Sequence, residues 1–441
     1  MHQARQTRQH IGSDDIVRSH SEIWRRFCIS LTVAVLTTYW YWRSSNTYFL
    51  FDEWEFWNQS RMSFNPLHLA RPYMGSLNFA LFAVWTLINS FFGIRSYEPY
   101  RLTALFMFAV FLLTFAHLCK KIELSLTDTL LSLGILTFAG PVVGNLWGGW
   151  QFAWLLSLAT GTLSVAQQFS SRRISRNILI LILVGLSVSS SSVGITFLAI
   201  NAFIAWRMRN RQLVFGAACL GALYAFWTVL FSGATEVGTP PQLFAYALTH
   251  LTTSVSALFG IYSYSDCFRL LIVCGLAVKF GHIAVSKRQS DDHPNSREEL
   301  RALQAAFAFG ACVWAVLLSF SRASLAYSNV TGESFSPTAV RYVHIGLYLV
   351  LIIGISASSK RARRIGLAIS FTLSLLVGVS FQAKQMKVVR DLGEEVKTSI
   401  DGALCDVDQA QSADFANFGR PRLKLILNWA RQGQLHCSST G

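Results

Sequence analysis

The densest acidic group in the sequence is Phe51-Asp52-Glu53-Trp54-Glu55-Phe56-Trp57. Carboxylates set among aromatic rings are an odd choice for a solvated loop. Partial burial raises a carboxylate's pKa and suits it to general-base work. Trp54, Phe56 and Trp57 would supply apolar walls, or a stacking face for a sugar ring. The plainer alternative is an aromatic belt at a membrane interface with incidental acids. Other chemistries have less behind them. His68 and His250 lack metal-ligand spacing, and the eight cysteines form no Cys-x-x-Cys or Cys/His pattern, so no metal site is expected. Cys119, Cys219, Cys274 and Cys312 lie within apolar runs and read as small packing residues. A Gly-rich phosphate loop of the nucleotide-binding type is absent from the sequence.

The elements that must position the acidic group are membrane helices. The 441 residues are 52% hydrophobic and 14% charged, against about a quarter charged in an average soluble domain. Long apolar runs alternate with short basic clusters, the pattern of a polytopic all-α transmembrane bundle with about eleven spans. The expected spans are residues 26–42, 101–119, 127–143, 151–169, 177–190, 192–206, 213–231, 268–285, 302–320, 342–358 and 365–381. The first run begins near Phe27 without a small-residue cleavage site and reads as a signal anchor. The net charge of +15 does not point to nucleic acid, because Lys and Arg sit at the ends of apolar runs; the expected partner is the lipid bilayer.

Orientation follows from those ends. With the N-terminus cytoplasmic, every basic cluster between spans falls inside: Arg25 and Arg26; Lys120 and Lys121; Arg172, Arg173 and Arg176; Arg207, Arg209 and Arg211; Lys287 and Arg288; and the run from Lys360 to Arg364. Two apolar stretches, 73–93 and 244–262, break the alternation and are expected as helices on the outer surface or packed into the bundle mouth. The organisation is then a cytoplasmic tail over 1–25, a membrane domain over 26–381 whose first outer loop spans 43–100, and an outer tail over 382–441. Val388 to Leu404 in that tail is helix-like. Cys405 and Cys437 there are free to pair in an oxidising compartment. Of the 23 Asp and Glu, none falls in the middle of an expected span, which weakens an ion-coupled carrier.

The first outer loop continues with Leu69-Ala70-Arg71-Pro72-Tyr73-Met74-Gly75-Ser76, then an amphipathic stretch, then Phe92-Gly93-Ile94-Arg95-Ser96-Tyr97-Glu98-Pro99-Tyr100-Arg101. An acidic pair after the first span, a basic-Pro stretch, a surface helix, Phe-Gly and an Arg entering the second span, in this order, resemble the first outer loop of the C-type glycosyltransferase superfamily. Aminoarabinose transferases of lipid A and protein O-mannosyltransferases are the nearest comparison. The likeness covers residues 26 to about 120. It continues more loosely through Asn145-Leu146-Trp147-Gly148-Gly149-Trp150-Gln151-Phe152 and Arg341-Tyr342-Val343-His344.

The resemblance implies an integral membrane enzyme of a bacterial inner membrane. Such enzymes take a sugar from a polyprenyl-phosphate donor and transfer it to a glycan, lipid or protein acceptor on the outer face. Asp52 matches the loop acid that acts as general base on the acceptor hydroxyl. Glu53 would tune its charge or hold a cation; no cofactor is certain and a divalent cation is compatible. The leaving phosphate needs positive charge, and Arg341 with His344 one turn in, Arg71, Arg95 and Arg322 are the outer-side candidates. Trp147 and Trp150 would stack on sugar or polyprenyl chain, or belong to an interfacial belt. Two other readings stand beside the enzyme. One is a lipid or glycan transporter. The other is a non-catalytic scaffold, favoured because Tyr73, Met74, Gly75 and Ser76 stand where such enzymes often carry a His pair.

Overall fold

The structure, a computed structural model, describes residues 2–49, 53, 56, 69–70, 72–73, 76–92, 96–169, 174–231, 239–258, 294–328, 340–357 and 359–405. Thirteen α-helices make up the described chain: α1 His2–Arg43, α2 Phe79–Phe92, α3 Glu98–Lys121, α4 Leu126–Phe138, α5 Phe152–Gln168, α6 Ile174–Ser190, α7 Val193–Arg207, α8 Arg211–Phe231, α9 Pro240–Ala257, α10 Pro294–Ser328, α11 Val340–Ala357, α12 Lys360–Leu373 and α13 Val379–Cys405. Strands are limited, among the described residues, to an antiparallel pair that places Pro72 opposite Leu77 and Tyr73 opposite Ser76. The expected span 268–285 and Cys437 lie outside the described residues.

Sequence chemistry explains several helix ends. Ser125 caps α4 by accepting the Asp128 N–H, and Ser359 caps α12 by accepting that of Ala362. Thr239 and Gln242 form a capping box at α9, with Pro240 fixing its first turn. The turn between α6 and α7 is two serines long. There Ser190 Oγ donates to Leu186 O at 2.6 Å and Ser187 Oγ to Ser157 O of α5 at 2.8 Å, so the serine hydroxyls take backbone carbonyls beside the turn.

Two spans differ from their expected form. α4 stops at Phe138, because Gly140 and Pro141 turn the chain into a 3-10 segment, Gly140–Asn145. α12 passes through a π-helical turn, Ser374–Gly378, into α13 without a break at the expected boundary near residue 381. The two irregularities meet. A Cβ on Gly378 would lie 2.1 Å from Phe138 O, so only glycine lets the π turn approach the end of α4. The carbonyls freed there are taken by Gln382, whose Nε2 donates to Thr137 O at 3.1 Å and Ala139 O at 2.9 Å. Tyr39 of α1 donates to the same amide's oxygen.

The core runs through α3, α5, α7, α10 and α11 around Phe111, Phe115, Phe197, Phe307 and Tyr348. Tyr348 Oη and Thr162 Oγ1 share a 2.6 Å hydrogen bond inside it. The outside also carries many large apolar side chains: Phe106, Phe215, Phe226 and Val229 are exposed, Val229 to 81%. An apolar surface of this extent is stable only against hydrocarbon. Glu98–Lys121, Arg211–Phe231, Leu300–Ser321 and Lys360–Glu394 are long and apolar enough to cross a bilayer, and shorter apolar helices accompany them. The chain is a multi-pass membrane protein of all-α class.

Candidate functional site

The loop between α1 and α3 is framed by Arg101, at the start of α3. Its guanidinium grips Glu98 with Nη2 at 2.5 Å and Nε at 2.9 Å, donates to Tyr41 O at 2.7 Å and Ser44 Oγ at 3.2 Å, and lies 4.6 Å from the Tyr41 ring centre. The arginine entering the second span is thus a buried clamp between the end of α1 and the start of α3. A second tie runs to α8, where Trp227 Nε1 donates to Ala70 O at 2.8 Å.

Between these ties Glu53 is fully buried. Its Oε1 accepts from Tyr97 Oη at 2.7 Å and from the Gly149 N–H at 2.8 Å, and the same N–H lies 2.7 Å from Tyr97 Oη. Burial, and then the neighbouring Glu53 charge, push the Tyr97 phenol well above its ordinary pKa, so it remains a donor. Trp-Gly-Gly-Trp owes its glycines to this contact. A Cβ on Gly149 would sit 2.8 Å from Tyr100 Cβ, and one on Gly148 3.0 Å from the Trp150 ring and 3.3 Å from Glu53 Oε1. The turn can therefore press its backbone against the loop acid only while both positions lack a side chain.

Aromatic rings extend the contact. Phe56 packs on Trp85 and Phe82 of α2 and on Trp150, with ring centres 5.7 to 5.9 Å apart. Phe49 meets Tyr97 at 4.7 Å and Tyr100 at 5.1 Å. From Trp150 the rings continue inward through Trp154 to Tyr342 and Trp314, and Trp314 reaches His250. Trp150 is buried within the chain, while Trp147 is half-buried at the edge of the core. α9, expected at the outer surface or in the bundle mouth, buries His250 between α10 and α11: His250 Nε2 lies 3.2 Å from where a Gly346 Cβ would be.

His344 is also fully buried. Asn145 Nδ2 donates to its Nδ1 at 2.9 Å, which assigns the ring proton to Nε2. Both ring nitrogens of His250 and both amide atoms of Gln151 have no hydrogen-bond partner among the described residues. Each unpaired buried group costs about 1–3 kcal/mol, a cost that a polar ligand or water reaching them would remove.

Of the residues expected to do chemistry, the structure brings Glu53, Trp150 and the Trp147 turn together and seats His344 on Asn145. Asp52, Trp54, Trp57, Arg71 and Arg95 lie outside the described residues. Arg341 is in the first turn of α11, with its side chain outside the described part, as is that of Arg322 in α10. Tyr97, Gln151, Trp154 and the interior position of His250 were not singled out by sequence. Gly148-Gly149 between two tryptophans was the available signal for close approach. No group of three or more His, Cys, Asp or Glu able to hold a metal is present among the described residues. No protein family model, curated protein or solved structure matches the chain.

Proposed function

We propose that the protein transfers a sugar from a polyprenyl-phosphate donor to an acceptor at the outer face of the membrane. The observation that carries this reading is the Glu53 carboxylate held by Tyr97 Oη and Gly149 N. It ties the acidic, aromatic loop segment to the Trp-Gly-Gly-Trp turn, which runs into buried Gln151, and Gln151 and His250 carry polar atoms without a partner among the described residues. Glu53 is a positioning residue in this scheme. Asp52, its neighbour, takes the proton of the acceptor hydroxyl as that oxygen attacks the anomeric carbon and the donor phosphate leaves with the bonding pair. Arg341, with Arg71 and Arg95, stabilises the phosphate charge. Trp54, Trp57 and Trp147 flank sugar or lipid.

The reading includes eleven crossings with a cytoplasmic N-terminus and an outer C-terminus. Its support is that Arg25, Lys120 and Arg363, three of the residues expected on the inner side, are drawn to the same end of the bundle: Glu22 pairs with Lys120, Arg25 Nη2 donates to Leu124 O at 3.0 Å, and Asp128 pairs with Arg363. A carrier is the second reading, since broken helices near mid-bundle often bind ions. The break between α4 and its 3-10 segment is such a feature, but Gln382 already takes the freed carbonyls. The test is purified protein offered a panel of polyprenyl-phosphate sugars, scored for release of the polyprenyl phosphate and sugar transfer. No turnover with any donor, together with uptake of a lipid-linked glycan into proteoliposomes, would move the assignment to the carrier. Arg341→Lys keeps charge but loses the planar fork, and is expected to weaken use of the donor about tenfold while acceptor dependence is unmoved.

A further inference from the structure

The opposite, basic end of the bundle holds a pocket that this chemistry does not use. Gln168 at the end of α5, Arg176 and Asn177 at the start of α6, and Asn210 and Leu213 at the α7–α8 turn line a shallow pocket open to its surroundings. Its amides are committed to one another. Asn210 Nδ2 donates to Asn177 Oδ1 at 3.0 Å, Asn177 Nδ2 to Gln212 Oε1 at 3.2 Å, and Gln168 Nε2 to Asn201 Oδ1 at 2.6 Å. Asn210 Oδ1 accepts the Leu213 N–H and so caps α8.

Arg176 is the exception. Its Nη1 is shielded from solvent and has no hydrogen-bond partner among the described residues, and none of the described ion pairs includes it. The pocket lining contains no carboxylate. A guanidinium nitrogen turned into a pocket without an acceptor calls for an anion, and its planar fork fits phosphate oxygens. The positive end of α8 adds to the same field.

The surroundings choose between a free phosphate and a lipid. The helices that carry the pocket present apolar outer faces: Ile178, Leu179 and Ile182 on α6 and Phe215 on α8 are exposed, so hydrocarbon lies against the same two helices. A ligand with an anionic head and apolar chains would satisfy Arg176 while its chains stay in that hydrocarbon. We propose that the pocket binds the phosphate of an anionic phospholipid from the leaflet at the basic end of the bundle, in the manner of basic pockets between membrane helices. Under the orientation argued above this is the cytoplasmic leaflet. The pocket does not depend on the glycosyl-transfer reading.

The test is native mass spectrometry of the delipidated full chain in detergent, titrated with phosphatidylglycerol, with phosphatidylcholine and with inorganic phosphate. Phosphatidylglycerol is expected to be retained and the other two not. Arg176→Ala should weaken retention about tenfold or more. Arg361→Ala removes the same charge from an exposed stretch of α12 and should leave retention unchanged. Arg176→Lys, which keeps the charge if the alanine variant does not accumulate, should lose retention several-fold. Equal retention of phosphatidylcholine, equal binding of inorganic phosphate alone, full retention by both Arg176 variants, or an equal loss in Arg361→Ala would each overturn the proposal.

Discussion

Asp128 and Glu53 are both fully buried carboxylates, one toward each end of the bundle. Asp128 accepts from Arg363 at 3.0 Å and from Arg364 at 3.5 Å, so cations at the start of α12 neutralise it and join α12 to α4. Glu53 accepts from the Tyr97 phenol and from the Gly149 backbone N–H. The first arrangement joins one helix to another. The second joins the acidic loop to the Trp-Gly-Gly-Trp turn. A buried acid therefore does not by itself mark a site; the elements it ties together separate a joint between helices from a joint between loop and turn.

The largest effect on stability is expected at the joint. Asp128→Ala leaves Arg363, whose side chain is 15% exposed, without its carboxylate, and breaking a buried pair from one side costs about 3 kcal/mol or more. Arg364 is about half exposed and contributes little of this. Thermal unfolding in detergent reads the loss. A change below about 1 kcal/mol would show that the pair behaves as a surface one and would remove the contrast with Glu53.

The largest effect on activity is expected at the other end. Asp52→Asn should lower transfer about a hundredfold or more, the usual worth of one general base, while leaving the unfolding temperature near that of wild type. Wild-type turnover in this variant would take the base role away from Asp52. A parallel fall in stability would class it with Asp128. Glu55→Gln should change turnover far less.

How much of this contrast was legible in the sequence depends on the range of the contacts. Apolar runs locate α1, α3 to α8, α10 and α11, because a span must satisfy its own backbone locally. Gly140-Pro141 carried the signal for the early end of α4, although a run scored by hydropathy passes through it. Nothing in Ser374-Leu375-Leu376-Val377-Gly378 marks a π turn, and the group its glycine meets, Phe138 O, belongs to a helix distant in sequence. The acidic loop and the two-glycine turn were each visible. Their meeting joins Glu53 to Gly149 across 96 residues, and the joint links Asp128 to Arg363 across 235. Spacing rules do not reach so far.

Gly149→Ala tests whether that meeting requires glycine. The added Cβ would stand 2.8 Å from Tyr100 Cβ and 3.0 Å from the Tyr100 carbonyl carbon. Overpacking of this kind costs about 1–3 kcal/mol. The expected result is a moderate fall in stability with a larger fall in transfer, since the turn that holds Glu53 must move. Loss of stability alone, with turnover per folded molecule intact, would show that the turn is structural and that Glu53 aims nothing.

The smallest and sharpest change is Tyr97→Phe. It removes one donor from Glu53 but leaves the Gly149 N–H at 2.8 Å in place, so the expected cost at neutral pH is about 1 kcal/mol. The alkaline side supplies a second readout, set by the burial of the phenol together with the Glu53 charge. The Tyr97 phenol is raised well above its ordinary 10.0, first by burial and then by the Glu53 charge. A group whose folded-state pKa is raised stabilises the fold fully below the unfolded value, and its contribution is lost as pH climbs from there toward the folded value. Wild-type stability should therefore fall above about pH 10 with one proton's share belonging to Tyr97, and the phenylalanine variant should fall less steeply there. Asp128→Ala should leave that alkaline slope as it is in wild type, because no phenol is among Asp128's described partners. Identical alkaline slopes in wild type and Tyr97→Phe would mean that the phenol does not face Glu53 in the folded protein, and the distinction between the two buried carboxylates would lose its geometric basis.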